Sequence, residues 1–131
     1  MPETTTTALC SVTVTVTNLR SSAGQICFSL FAGPEGFPGD GERAIAKGFT
    51  RANGDGLAYT FPNLKPGEYA IALFHDENNN GILDKGFLGI PQEGFGFSQN
   101  PTILMGAPSF RATAITLERP QTEIQILLKY F

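Results

Sequence analysis

Cys10-Ser11-Val12-Thr13-Val14-Thr15-Val16-Thr17 alternates without a break. The even positions are apolar and the odd ones hydroxylated, the period of two expected when one face of a sheet is buried and the other is wet. Ile26, Phe28 and Leu30 carry the same parity into the next apolar stretch. The pattern predicts strands over Leu9–Thr17 and Gln25–Phe31, paired as a hairpin around Asn18–Gly24 with Val16 opposite Ile26, both feeding one core.

That hairpin bears on the two cysteines. It sets Cys27 against Thr15 and leaves Cys10 five residues along its strand, roughly 16 Å away at about 3.3 Å per residue, beyond the reach of a disulfide. Two free, mostly buried thiols are expected, acting as small apolar fillers.

Outward from these strands the chain keeps its β character. The run Gly33-Pro34-Glu35-Gly36-Phe37-Pro38-Gly39-Asp40-Gly41 is too rich in Gly and Pro for a regular element and predicts a surface excursion. Glu42–Lys47, stopped by Gly48, suits one short helical turn. Phe49–Ala52 and Leu57–Phe61 flank Asn53-Gly54-Asp55-Gly56, the composition of a tight hairpin turn. Pro66-Gly67 marks a reversal. After it Tyr69, Ile71 and Leu73 alternate with Ala70, Ala72 and Phe74, so both faces are apolar and the strand is expected to be central. Ala112–Leu117 and Glu123–Phe131 close the chain as two strands across a turn at Arg119-Pro120-Gln121. Seven short strands with at most one short helix predict an all-β fold, an antiparallel Greek-key β-sandwich. Residues 9–131 are expected to form a single domain behind a flexible segment, 1–8.

Composition narrows the partners. Among 131 residues, 9 basic side chains against 12 acidic ones give a net charge of −3, and the basic residues are scattered singly rather than arrayed along a phosphate backbone, so nucleic acid is not an expected partner. The apolar runs are too short to span a bilayer. The opening Met-Pro-Glu-Thr-Thr-Thr-Thr is polar and suits a chain whose signal sequence has been removed.

One local pattern can hold an ion. In Asp76-Glu77-Asn78-Asn79-Asn80-Gly81-Ile82-Leu83-Asp84, Asp76, Asn78, Asn80, the Ile82 carbonyl and Asp84 occupy positions 1, 3, 5, 7 and 9 of a calcium loop, with Gly81 at the sharp turn. Position 12 is Phe87, so the bidentate glutamate of an EF-hand is missing. A bound Ca²⁺ would be weak unless Glu77 or Glu93 folds back. The competing reading is a run of Asx-turns that caps its own backbone. His75, the sole histidine, lies immediately before this loop. It lacks a second His or a nearby Cys to complete a metal set, and Ser29, Ser98 and Ser109 lack the surroundings of a nucleophile. Phe87–Asn100 alternates aromatics with glycines in a long connection. Its rings either stack on sugars and peptides or cover the open end of the sandwich, and the covering role is preferred.

The stretch Phe74–Asp84, followed by Phe87-Leu88-Gly89-Ile90-Pro91-Gln92-Glu93-Gly94-Phe95-Gly96-Phe97-Ser98, resembles the hallmark of the bacterial domain of unknown function 2141 family. The resemblance extends to the first strand, the Gly-Phe-Pro excursion, the Leu64–Tyr69 turn and the C-terminal strands. Where this chain has Ser98-Gln99-Asn100, that family often has Ser-Asn-Asn. The resemblance implies a secreted or periplasmic protein with a transthyretin-like, prealbumin-like or collagen-binding-B-like sandwich, and it supplies no activity and no catalytic residue. The expected function is a non-enzymatic extracytoplasmic binding or structural module, monomeric, recognising a protein, peptide or glycan. The alternatives are a small hydrolase using His75 with Asp76, Asp84 or Glu93, and a transthyretin-like carrier of a small ligand between subunits.

Overall fold

The computed structural model describes residues 9–52, 57–79, 93–101 and 108–130. It is a β-sandwich. One sheet has three strands in the order β4-β1-β8, and the other has five, β3-β2-β5-β6 with β7 also paired to β5. The strands are β1 (Cys10–Thr17), β2 (Gln25–Phe31), β3 (Ala46–Arg51), β4 (Leu57–Leu64), β5 (Gly67–Asp76), β6 (Phe95–Phe97), β7 (Ile115–Leu117) and β8 (Gln121–Leu127), with one short helix α1 (Phe110–Thr113) before β7. Each of the seven expected strands has a counterpart, and β6 adds an eighth among the described residues.

The parity read from the first strand holds. Val12, Val14 and Val16 are buried together with Ile26, Phe28 and Leu30, and Ile71, Leu73, Leu117 and Ile126 complete the layer between the sheets. Fully burying one such side chain contributes about 1.5–3 kcal/mol.

The pairing differs from expectation. β1 and β2 face each other from opposite sheets, because β1 pairs antiparallel with β4 and parallel with β8, whereas β2 pairs with β3 and β5. Period two specifies which side of a strand is apolar, and two strands meeting across a core satisfy it as well as two lying side by side. The same correction applies to β3 and β4. They belong to different sheets and form no hairpin, and the turn residues 53–56 between them lie outside the described residues. β7 and β8 likewise do not pair with each other; β7 joins β5.

The cysteines are free, though not by the geometry of a hairpin. Cys10 lies in the layer between the sheets. Cys27 projects from the other side of the five-stranded sheet, in register with Phe49 and Phe74.

Two helical expectations shift. The turn expected over Glu42–Lys47 is a single 3₁₀ turn, Gly41–Arg43, capped by Asp40, whose carboxylate accepts the Glu42 N–H at 3.0 Å; by Ala46 the chain is already in β3. The strand expected from Ala112 starts at Ile115, because Ser109 caps a helix over the preceding residues by accepting the Ala112 N–H at 3.1 Å.

β5 is central, as its two apolar faces imply, between β2 on one side and β6 with β7 on the other. Its second face supports an aromatic layer outside the sandwich: Phe31, Ala72, Phe95 and Phe97, closed over by Phe37 and Phe110. Phe37 meets Phe31 edge to face at 5.2 Å and Phe110 at 6.0 Å. The Gly-Pro excursion thus delivers one ring to a core of its own. Phe95 and Phe97, read as part of a loop, are a strand, and they cover a sheet face rather than the sandwich end. Residues 87–92 of that stretch, and the flexible segment expected over 1–8, lie outside the described residues. No helix among the described residues is long and apolar enough to cross a membrane.

Candidate functional site

β1 ends, β2 begins, β5 ends and the C-terminal segment after β8 passes at the same end of the sandwich. Asn18 turns the chain out of β1 at φ 71° and Gly24 turns it into β2 at φ 73°. Gly24 is required for space as well as conformation, since a Cβ there would lie 2.0 Å from the Asp76 carbonyl oxygen. The Asn18 side-chain amide donates to the Leu128 carbonyl at 2.8 Å, and Phe95 and Lys129 exchange backbone hydrogen bonds of 3.0 and 2.9 Å. The root of the Asp76 loop is thereby enclosed by three other segments.

Within this frame lies a polar cluster. His75 is fully buried. Its Nε2 is 2.7 Å from the Ala23 carbonyl oxygen and its Nδ1 2.8 Å from the Tyr130 hydroxyl. A carbonyl only accepts, so in the neutral ring the proton is on Nε2, and Nδ1 accepts from Tyr130. The Tyr130 oxygen in turn accepts the Arg20 N–H at 3.0 Å, and the Arg20 guanidinium lies 4.6 Å from the centre of the Tyr130 ring, a cation–π distance. Gly94 allows the ring its place: a Cβ there would approach it to 2.4 Å.

The carboxylates are committed too. Glu77 accepts from Arg20 through two contacts of 2.5 and 3.1 Å and from the Ser21 hydroxyl at 2.9 Å. The hydrogen bond from Arg20 holds the Glu77 carboxyl below its usual range against the opposing effect of burial, and the same bond raises the Arg20 guanidinium. Glu93, buried, accepts the Glu77 backbone N–H at 2.8 Å. Asp76, fully buried, accepts from the Gln25 side-chain amide at 2.8 Å, a pair set by the register that places Gln25 opposite Asp76. Beside them burial, with the charges of Asp76 and Glu93 adding to it, pushes the Cys27 thiol up to about 11, Lys47 opposing.

Of the five candidate calcium ligands, Asp76 and Asn78 are described: Asp76 in the sheet, Asn78 exposed in the turn that follows, where the Asn79 N–H returns to the Asp76 carbonyl at 3.3 Å. Asn80, Ile82 and Asp84 lie outside the described residues. Among the described residues no group of three or more His, Cys, Asp or Glu side chains is placed to hold a metal. Glu93 does fold back toward the loop root, to a backbone amide.

Sequence reading missed Arg20, Ser21, Gln25 and Tyr130, which reach the cluster from 51 to 57 positions away from their partners. It also missed the role of Ser98-Gln99-Asn100. The buried Ser98 hydroxyl accepts the Ile71 N–H at 3.0 Å and donates to the Thr113 carbonyl at 2.6 Å. Asn100 donates to the Gln125 carbonyl at 3.0 Å and accepts the Leu127 N–H at 2.9 Å. Gln99 and Asn100 both adopt positive φ, 70° and 45°, a region in which Asn is several-fold enriched. This turn ties β5 and the helix segment to β8, a structural use of the motif; the signal that could have found it is the Asn beside a Ser-X pair at a strand end.

The geometry defines a small β-sandwich module closed at one end by a satisfied polar network. Residues 14–125 match the family described as an uncharacterized protein conserved in bacteria, DUF2141, and the chain belongs to that family. No curated protein and no solved structure matches it.

Proposed function

We propose that this chain is a non-enzymatic extracytoplasmic module whose rigid end presents the loop beginning at Asp76 for recognition of a protein, peptide or glycan. The observation that carries the reading is His75: both ring nitrogens of the sole histidine are engaged, by the Ala23 carbonyl and the Tyr130 hydroxyl. A general base needs a free lone pair directed at a substrate, and this ring spends its lone pair inside the fold. That disfavours the hydrolase alternative. The extracytoplasmic placement draws its support from the family resemblance.

In this proposal the loop root is held by the protein's own groups. Asp76 takes the Gln25 amide and Glu93 takes the Glu77 N–H, work that an ion would otherwise do. The test is the thermal midpoint of chelator-treated protein titrated with Ca²⁺ and Mg²⁺, alongside Asp76→Ala and Asp84→Ala. The expected outcome is no Ca²⁺-specific shift. A saturable rise abolished by both variants would replace self-capping by an ion-ordered loop with Asp76, Asn78, Asn80, Ile82 and Asp84 as its ligands. Turnover of chromogenic ester or glycoside substrates that is lost in His75→Gln would refute the module reading itself.

A further inference from the structure

β3 is an edge strand: among the described residues it pairs only with β2. The Ala52 N–H donates to the Gly24 carbonyl at 3.0 Å, which fixes the hydrogen-bonding phase of the β2–β3 ladder. In an antiparallel pair bonded and non-bonded positions alternate, so Thr50 and Gly48 direct their backbone groups at β2, while Lys47, Phe49 and Arg51 direct theirs at the open edge. These same three residues share one face of the strand, in register with Ser29, Cys27 and Gln25. All three side chains are exposed. Phe49 is 69% exposed, the most of any large hydrophobic described, and Ile45, just before the strand, is 54% exposed. Among the described residues Lys47 and Arg51 form no ion pair.

We infer that the β3 edge is a docking site for an extended segment of a partner protein in which acidic residues alternate about an apolar one, added as a further antiparallel strand. Backbone groups of Lys47, Phe49 and Arg51 supply the ladder, the Phe49 ring covers the apolar residue, and Lys47 and Arg51 face the acids. Charge selects this occupant over a second copy of the chain. Antiparallel self-pairing centred on Phe49 sets each Lys47 opposite the other copy's Arg51, and like charges directly opposite are destabilising. The site rests on the edge strand and not on the cluster around His75, so it stands or falls independently of the function proposed for the Asp76 loop.

The test uses the whole chain and a fluorescein-labelled peptide, Thr-Asp-Thr-Val-Thr-Glu-Thr, followed by anisotropy at low and physiological salt. The expected result is saturable binding that weakens with salt, falls about tenfold or more in the exposed double variant Lys47→Glu/Arg51→Glu, and is lost when the backbone amides of Asp, Val and Glu are N-methylated. The double variant should instead favour the peptide with Lys in place of both acids. Binding indifferent to the charge reversal, binding that survives N-methylation, or no saturation at millimolar peptide would each overturn the proposal, as would concentration-dependent dimerisation of the unliganded chain that Phe49→Thr abolishes.

Discussion

Removing one oxygen atom tests the polar cluster. Tyr130→Phe keeps the ring against Gly94 and under Arg20 but removes the hydroxyl that lies 2.8 Å from Nδ1 of the fully buried His75 and that accepts the exposed Arg20 N–H at 3.0 Å, so the cost falls on His75. A buried group stripped of its partner costs about 1–3 kcal/mol. With about 2.1 cal/mol/K of unfolding entropy per residue over 131 residues, each kcal/mol moves the midpoint by roughly 3.6 °C, so the variant should melt roughly 4–11 °C below the parent. Tyr59→Phe is the matched control. It makes the same chemical change at a ring stacked on Phe28 at 4.8 Å, whose hydroxyl has no hydrogen bond among the described residues, and it should stay within about 0.5 kcal/mol of the parent. Calorimetry on the three proteins measures the difference, and nitrogen NMR of the imidazole should report the Nε2–H form in the parent. Equal midpoints for the two variants, or a proton on Nδ1 of the neutral ring, would refute the hydrogen-bond chain from Arg20 through Tyr130 and His75 to Ala23.

Two further predictions concern titration. Glu77 has a folded pKa below its unfolded value of about 4.3, so its pairing with Arg20 stabilises the fold fully above that value and is lost as the pH falls through the folded pKa. Because Arg20 is substantially exposed, the contribution is under about 1 kcal/mol; urea titrations at pH 7 and pH 3 should show Glu77→Gln narrowing the gap between the two, and an unchanged gap would contradict the assignment. Cys27, with its thiol raised to about 11 by burial and the neighbouring carboxylates, should resist iodoacetamide at pH 8 in the native protein, while mass spectrometry after denaturation should find both cysteines alkylated; rapid native labelling at Cys27 would show that the thiol is not shielded.

The sequence carried the faces of the strands more fully than their neighbours. Val12, Val14 and Val16 declare a buried side whatever lies beside them, and Tyr69–Phe74 declares two buried sides, which only a central strand provides. Neither pattern names a partner. Asn53-Gly54-Asp55-Gly56 has the composition of a hairpin turn, yet the strands on either side of it enter different sheets, since β3 closes on β2 and β4 on β1. Local chemistry favours a reversal; whether the chain then returns alongside itself or crosses the core is decided by which apolar faces remain uncovered. The parallel pairing of β1 with β8 joins residues about 110 positions apart and has no local signature.

The same division explains the site. His75 stood out as the sole histidine and Asp76 and Glu93 as carboxylates of the calcium-loop reading, and all three are buried at the same end of the sandwich. Their partners carry no such mark. Tyr130 looks like one more aromatic in a closing strand, Arg20 like a surface residue of a connection and Gln25 like the polar first residue of a strand, and the register of β2 against β5 is what sets Gln25 beside Asp76. Because those partners complete the bonding of His75, the one residue that could have suggested catalysis turns out to fasten the end of the sandwich. A histidine placed for chemistry leaves one nitrogen for the substrate; here Nε2 faces a backbone carbonyl and Nδ1 a phenol that is itself tied to Arg20. Rigidity at this end therefore comes from groups that reactivity would require to be free, and this supports the proposal of recognition over catalysis without bearing on the separate proposal for the β3 edge.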